Sequence, residues 1–162
     1  MISSKMEQAL NGQIKEEYFS SYLYLAMSAH FKAANLDGFA HWMRIQSQEE
    51  MTHALKIFDY VNEQQGKVTL ENIDKPQSEW GTPLSIFEAA YKHEQKITGL
   101  IGRLADLAIA EKDHATAGFL QWFVKEQVEE EATAADIVHK LKMVGDSNQG
   151  LFMVDRYLGE RK

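Results

Sequence analysis

Apolar side chains recur every three or four positions through four long stretches of this chain, and polar residues fill the positions between them. The spacing predicts helices over about Ser4–Ala33, Asp37–Gln65, Thr82–Lys112 and Asp113 or His114–Val144, with a short fifth over Leu151–Leu158. Punctuation supports the boundaries. Ser4 is placed to cap the first helix, with Glu7 as a capping-box partner. Gly66 stands where a glycine follows a helix end, and Thr82-Pro83 reads as a cap followed by proline at the first helical position.

Each long helix has roughly 28 residues and is about 42 Å long at 1.5 Å per residue. Short turns join the first helix to the second and the third to the fourth, so each pair is expected to be antiparallel. Lys67 to Gly81 separates the pairs, and fully extended it spans about 50 Å, enough to run the length of a bundle. The expectation is an all-α four-helix bundle with one long crossover, its second and third helices parallel, and a short C-terminal helix. The 162 residues suit a single domain, 1–162.

The apolar stripes are interrupted. They run Leu10, Ile14, Glu17, Ser21, Tyr24 in the first helix and Phe39, Met43, Gln46, Glu50, His53, Ile57, Tyr60 in the second. The third reads Phe87, Ala90, Glu94, Ile97, Ile101, Leu104, and the fourth Phe119, Phe123, Glu130, Ala134, Ile137, Leu141, flanked by Glu126 and Gln127. The helix midpoints fall near Phe19, Met51, Ile97 and Glu129, and each has a stripe glutamate close by: Glu17, Glu50, Glu94 and Glu130. The offsets are small enough to place all four carboxylates in a slab about 5 Å thick, whichever way each helix runs.

Buried carboxylates at one level must stay protonated, pair with Lys or Arg, or bind cations. No Lys or Arg lies on these stripes at that level. Two divalent ions would balance the four charges, and His53, three residues after Glu50, adds a nitrogen. Carboxylates with one imidazole suit iron, manganese or zinc, and two ions sharing a carboxylate can hold dioxygen or peroxide between them.

Composition narrows the alternatives. The absence of cysteine removes disulfides, thiolate metal sites and thiol catalysis, and the net charge of −7 argues against a nucleic-acid surface. No apolar run has the length of a membrane span or the form of a signal peptide, so a cytoplasmic setting is expected. The apolar residues of the last segment, Leu151, Phe152, Val154, Tyr157 and Leu158, exceed what a closed four-helix bundle accommodates and point to self-association.

Three strings carry a family resemblance: QEEMTH (Gln48–His53) with FDY (Phe58–Tyr60), YKHEQKIT (Tyr91–Thr98) and LQWFVKEQVEEE (Leu120–Glu131). With them the chain resembles the ferritins, specifically the bacterial non-haem type. The resemblance implies iron storage with ferroxidase activity, oxidation of Fe2+ by O2 or H2O2, and a hollow shell of 24 subunits holding ferric mineral, with the last helix at the four-fold axes. It implies that Glu17, Glu50 and His53 bind one iron, and that Glu50 bridges to a second held by Glu94 and Glu130. Gln127 faces the pair. Glu49, Glu126 and Glu129 match a third, looser iron site. Tyr24 matches a tyrosine beside the centre that can hydrogen-bond a ligand glutamate or give up an electron, and Trp122 matches a nearby tryptophan.

The fourth helix departs from the symmetric di-iron pattern. It reads Gln127-x-x-Glu130 where Glu-x-x-His would stand, so the second iron lacks a histidine and should be held more weakly. That favours iron in transit over a fixed di-iron cofactor. The alternatives are a haem-containing bacterioferritin, in which Met51 would ligate haem, and a di-iron peroxidase or oxidase of smaller oligomeric state. Haem is not expected, because non-haem relatives share the Glu-Met-Thr-His string. His30, His41, His93, His114 and His139 have no partner at ligand spacing and read as surface or satisfied residues.

Overall fold

A computed structural model describes all 162 residues, and its regular secondary structure is all helix. Its helices are α1 (Ser4–Ala33), α2 (Asp37–Glu63), α3 (Pro83–Ala110), α4 (His114–Val144) and α5 (Asn148–Gly159). Their starts follow local chemistry. The hydroxyl of Ser3 accepts the N–H of Met6, so the cap of α1 lies one residue before the expected Ser4, which is already helical. Glu7 therefore closes no capping box, and its carboxylate accepts the backbone N–H of Lys67 instead. Thr82 caps α3 as expected, with Pro83 in the first turn, and Asp113 caps α4.

Three helices end alike. Asn35, Gln65 and Lys112 each adopt positive φ, at 59°, 61° and 56°. The following N–H bonds back across six residues: Leu36 to the carbonyl of Phe31, Gly66 to Val61, Asp113 to Ala108. Gln65 and not Gly66 is thus the left-handed residue, and α2 stops two residues short of the expected Gln65. Gly66 sits in a tight place, since a Cβ there would lie 2.9 Å from the end of the Ile2 side chain and 3.1 Å from the carbonyl oxygen of Val61.

Two apolar clusters reveal the topology. One gathers the end of α1 (Tyr24, Met27, Phe31), the start of α2 (Phe39, Met43), the start of α3 (Ile86, Phe87, Ala90) and the end of α4 (Ile137, Leu141). The other gathers the start of α1 (Met6, Leu10, Ile14), the end of α2 (Ile57, Val61), the end of α3 (Ile101, Leu104) and the start of α4 (Leu120, Phe123). The pairs α1–α2 and α3–α4 are therefore antiparallel, and α2 and α3 are parallel. The crossover leaves the second cluster and returns at the first. Asn11 fixes its start, donating to the carbonyl of Lys67 at 2.9 Å and accepting from the N–H of Thr69 at 3.0 Å.

The short helix α5 starts at Asn148, three residues before the sequence suggested, because Ser147 caps it. Asp155 reaches back to the uncapped start of α2, where it accepts the N–H groups of Gly38 and Phe39. A Cβ on Gly38 would meet the carbonyl oxygen of Asp155 at 1.7 Å, so the approach requires glycine. Val154 and Leu158 join the first cluster, so the bundle has more room for this segment than expected. Phe152, Met153 and Tyr157 stay exposed. No helix is long and apolar enough to cross a membrane.

Candidate metal centre

A polar layer separates the two apolar clusters. Glu17 on α1, Gln46, Glu50 and His53 on α2, Glu94 on α3, and Gln127 and Glu130 on α4 are all buried. They project inward for the reason the stripes suggested: each occupies the core face of its helix at mid-length. Glu17, Glu50 and His53 place one oxygen or nitrogen each within 4.8 Å of one another, and Glu50, Glu94 and Glu130 do the same. Glu50 belongs to both groups. Its Oε2 lies 3.1 Å from Nδ1 of His53.

Amides hold these acids in place. Gln13 donates to Glu17 at 2.8 Å, one helical turn away. Gln46 donates to Glu50 at 2.9 Å and to Glu130 at 2.8 Å, tying α2 to α4. Gln127 donates to Oε2 of Glu94 at 3.0 Å, and the phenol of Tyr24 donates to Oε1 of the same carboxylate.

Burial and mutual repulsion dominate the electrostatics. Glu17 is pushed well above the usual carboxylate range by burial and by the charge of Glu50, and Glu50 by burial and by Glu94 and Glu130. Burial also raises Glu94, against the two hydrogen bonds that favour its charged form. Glu130 is pushed up to about 7 by burial and by Glu94. Burial and Glu94 raise the Tyr24 phenol.

The ion pairs of the chain bring no Lys or Arg to any of the four. Oε2 of Glu17 and Oε1 of Gln46 are buried with no hydrogen-bond partner. Convergent acids with partnerless oxygens and no protein counter-charge make a donor set suited to cations, and Glu50 is placed to serve two at once.

The outer acids are arranged differently. Glu126 is half-buried, its Oε1 4.0 Å from Nε2 of His53, and it groups with His53 and Glu130 within 4.8 Å. Glu129 is exposed and belongs to no such group. Glu49 is half-exposed and pairs with Arg161 at 2.7 Å. Trp122 packs edge-on against His53, with ring centroids 5.4 Å apart.

On α4 the stripe is carried by Leu120, which is fully buried, while Phe119 is only half-buried and stacks on Tyr60 at 3.9 Å. His93 and His41 are satisfied, by Ser20 at 2.7 Å and by the carbonyl of Arg161 at 2.7 Å. Sequence reasoning missed Gln13 as a member of the layer, although its spacing four residues before Glu17 repeats that of Gln46 and Glu50. It missed Arg161 entirely.

Known proteins share this architecture. The family model described as a ferritin-like domain matches residues 7–144. The chain is 50% identical over 161 residues to a bacterial non-heme ferritin of Bacteroides fragilis, covering 99% of this chain and 100% of that one. It is 38% identical over 158 residues to a bacterial non-heme ferritin of Campylobacter jejuni, covering 98% and 95%. Among solved structures it superposes on an open pore ferritin from the hyperthermophilic archaeon Archaeoglobus fulgidus with a TM-score of 0.99, at 49% identity and full coverage of both chains.

Proposed function

The chain belongs to the ferritin-like family, and from that premise we propose that it stores iron, oxidising Fe2+ inside its own bundle before mineralisation. The carrying observation is the pair of groups that share Glu50. Iron is the substrate here. One ferrous ion is held by Glu17, Glu50 and Nδ1 of His53, and a second by Glu50, Glu94 and Glu130. Each arriving cation supplies the counter-charge that the acids lack, so it competes with protons for carboxyls that burial makes harder to ionise.

The protein's residues set the course of the reaction. Two ferrous ions lose one electron each. Dioxygen accepting both, with two protons, leaves as hydrogen peroxide, and peroxide accepting both, with two protons, leaves as two waters. Glu50 fixes the spacing of the ions. Tyr24 orients Glu94 through its hydrogen bond and lies near enough to lend an electron. Gln127, as an amide, gives the second position no negative charge, so that position binds more loosely and can discharge its ferric product.

Glu126, within reach of Nε2 of His53, begins the way out, with Glu129 and Glu49 beyond it. The exposed Phe152, Met153 and Tyr157 of α5 suit contacts between subunits of a 24-subunit shell in the cytoplasm.

Anaerobic titration with Fe2+, followed by air and absorbance in the near ultraviolet, tests this reading. The parent protein should saturate with two ions per chain and oxidise them rapidly, and Glu50→Ala should fold yet lose fast oxidation. Equal rates in the two proteins would refute it. Size-exclusion chromatography separates the shell from a dimeric di-iron oxidase, which would elute far later.

A further inference from the structure

A groove of about 430 Å3 runs between α1 and α3 where the crossover returns to the bundle. Its size falls within the range of small-molecule sites. Much of its lining is apolar or aromatic: Phe19 and Leu23 come from α1 and Trp80 from the crossover, all half-buried. Three lysines share that lining. Lys75 lies on the crossover, and Lys92 and Lys96 stand four residues apart, on one face of α3.

The charge in the groove runs against that of the chain. The protein has 24 acidic and 17 basic residues, yet none of the 11 lining residues is acidic. Lys75 and Lys92 enter no ion pair, and Lys96 alone is shared, with Glu16 at 3.2 Å. Positive charge that no lining side chain neutralises draws anions from solvent. The indole Nε1 of Trp80 is buried with no hydrogen-bond partner, so a donor in the same lining stands unused. His93 stiffens the wall. Its Nε2 is engaged with Ser20 at 2.7 Å, and its ring packs on Phe19 and edge-on against Tyr24, with centroids 6.0 and 5.9 Å away.

We propose that this groove binds an aromatic organic phosphate, its ring against Phe19 and Trp80 and its phosphate among Lys75, Lys92 and Lys96. Both halves of the ligand are required by the lining. An inorganic anion would leave the aromatic side chains in water, and a neutral ring would leave the lysines unpaired. Lysines meet a phosphate as point charges on flexible stems, so they accept its position without a fixed fork geometry. Gln77, the one amide side chain in the lining, already donates to the carbonyl of Glu79 at 3.0 Å. The groove therefore selects a class of ligand and does not read the edge of one particular ring.

Flavin mononucleotide is a suitable probe, because its ring fluoresces and stacking on indole quenches the emission. Titrating it with the intact assembly in dilute salt should quench saturably, at one flavin per chain. Riboflavin, which has the ring without the phosphate, and inorganic phosphate, used as a competitor, should each bind at least about tenfold more weakly, as expected when a charge-assisted contact is lost. The double variant Lys75→Gln/Lys92→Gln should weaken flavin mononucleotide by a similar factor and melt like the parent, since both side chains are exposed and unpaired. Lys5→Gln/Lys125→Gln, which removes the same charge outside the groove, should bind as the parent does. Trp80→Phe should still bind by calorimetry and lose most of the quenching. Absence of saturable binding would overturn the proposal, as would equal losses in the two lysine double variants or full quenching in Trp80→Phe. Riboflavin or inorganic phosphate binding as tightly as flavin mononucleotide would overturn it too.

Discussion

Tyr24 on α1 donates its phenolic hydrogen to Oε1 of Glu94 on α3, while Gln127 on α4 donates to the other oxygen of that carboxylate at 3.0 Å. Three helices therefore converge on one buried acid, and both donors favour its charged form. Burial still raises Glu94, and these two donors oppose that shift.

Removing the phenol tests the arrangement. Tyr24→Phe keeps the ring in its apolar cluster and deletes one hydrogen bond, costing about 1 kcal/mol of stability, or roughly 2–4 °C in Tm for a chain of this size. Glu94 becomes harder to ionise, so the second cation binds more weakly and iron oxidation slows several-fold. Thermal melts and stopped-flow absorbance measure both. Unchanged oxidation would mean that Tyr24 only packs.

The buried acids give stability a definite pH slope. Each is harder to ionise in the folded chain than in the unfolded one, so the folded state binds more protons above the unfolded value of 4.5, up to about 7 for Glu130. The metal-free protein should lose stability as pH rises through that window, and divalent cations should restore it. Melting the chelator-treated protein between about pH 5 and 8 checks the sign. Glu130→Gln should flatten the slope, and a rise in stability with pH would contradict the assignment.

Those four acids were legible in the sequence because helical periodicity fixes which residues face the core, and distance from a helix midpoint fixes their height. The crossover was legible for a related reason, since only a long extended segment can join parallel helices. Contacts between elements distant in sequence were not legible. Asp155 caps α2 from 117 residues beyond Gly38, and Arg161 pairs with Glu49 across 112. No local pattern encodes either contact. The end of α2 was placed two residues late because Gln65 takes a left-handed conformation usually left to glycine, and α5 starts early because Ser147 caps it.

In the proposed reading the second position is weak because it lacks a histidine, and Gln127 adds no charge to it. Gln127→Glu would add a fifth carboxylate to the layer and remove the amide donor from Glu94. The metal-free protein should lose about 1–3 kcal/mol, while the second cation binds about tenfold tighter, worth ~1.4 kcal/mol. Calorimetry with Zn2+ resolves the two binding steps, and iron release should slow accordingly.

Gly38 decides whether α5 can dock. Gly38→Ala places a methyl group against the carbonyl of Asp155, with no flexible side chain to yield. The expected cost is on the order of 2–3 kcal/mol, with α5 loosened and faster amide exchange over 148–159. Protection equal to the parent's would show that the close approach is not needed.

Bound iron should occupy two positions inside each bundle. Crystals soaked anaerobically with Fe2+ and measured at the iron absorption edge should show two anomalous peaks within each bundle. One should lie among Glu17, Glu50 and His53, the other among Glu50, Glu94 and Glu130. A bundle interior without iron, with peaks confined to exposed acids, would rule out a metal centre at Glu50.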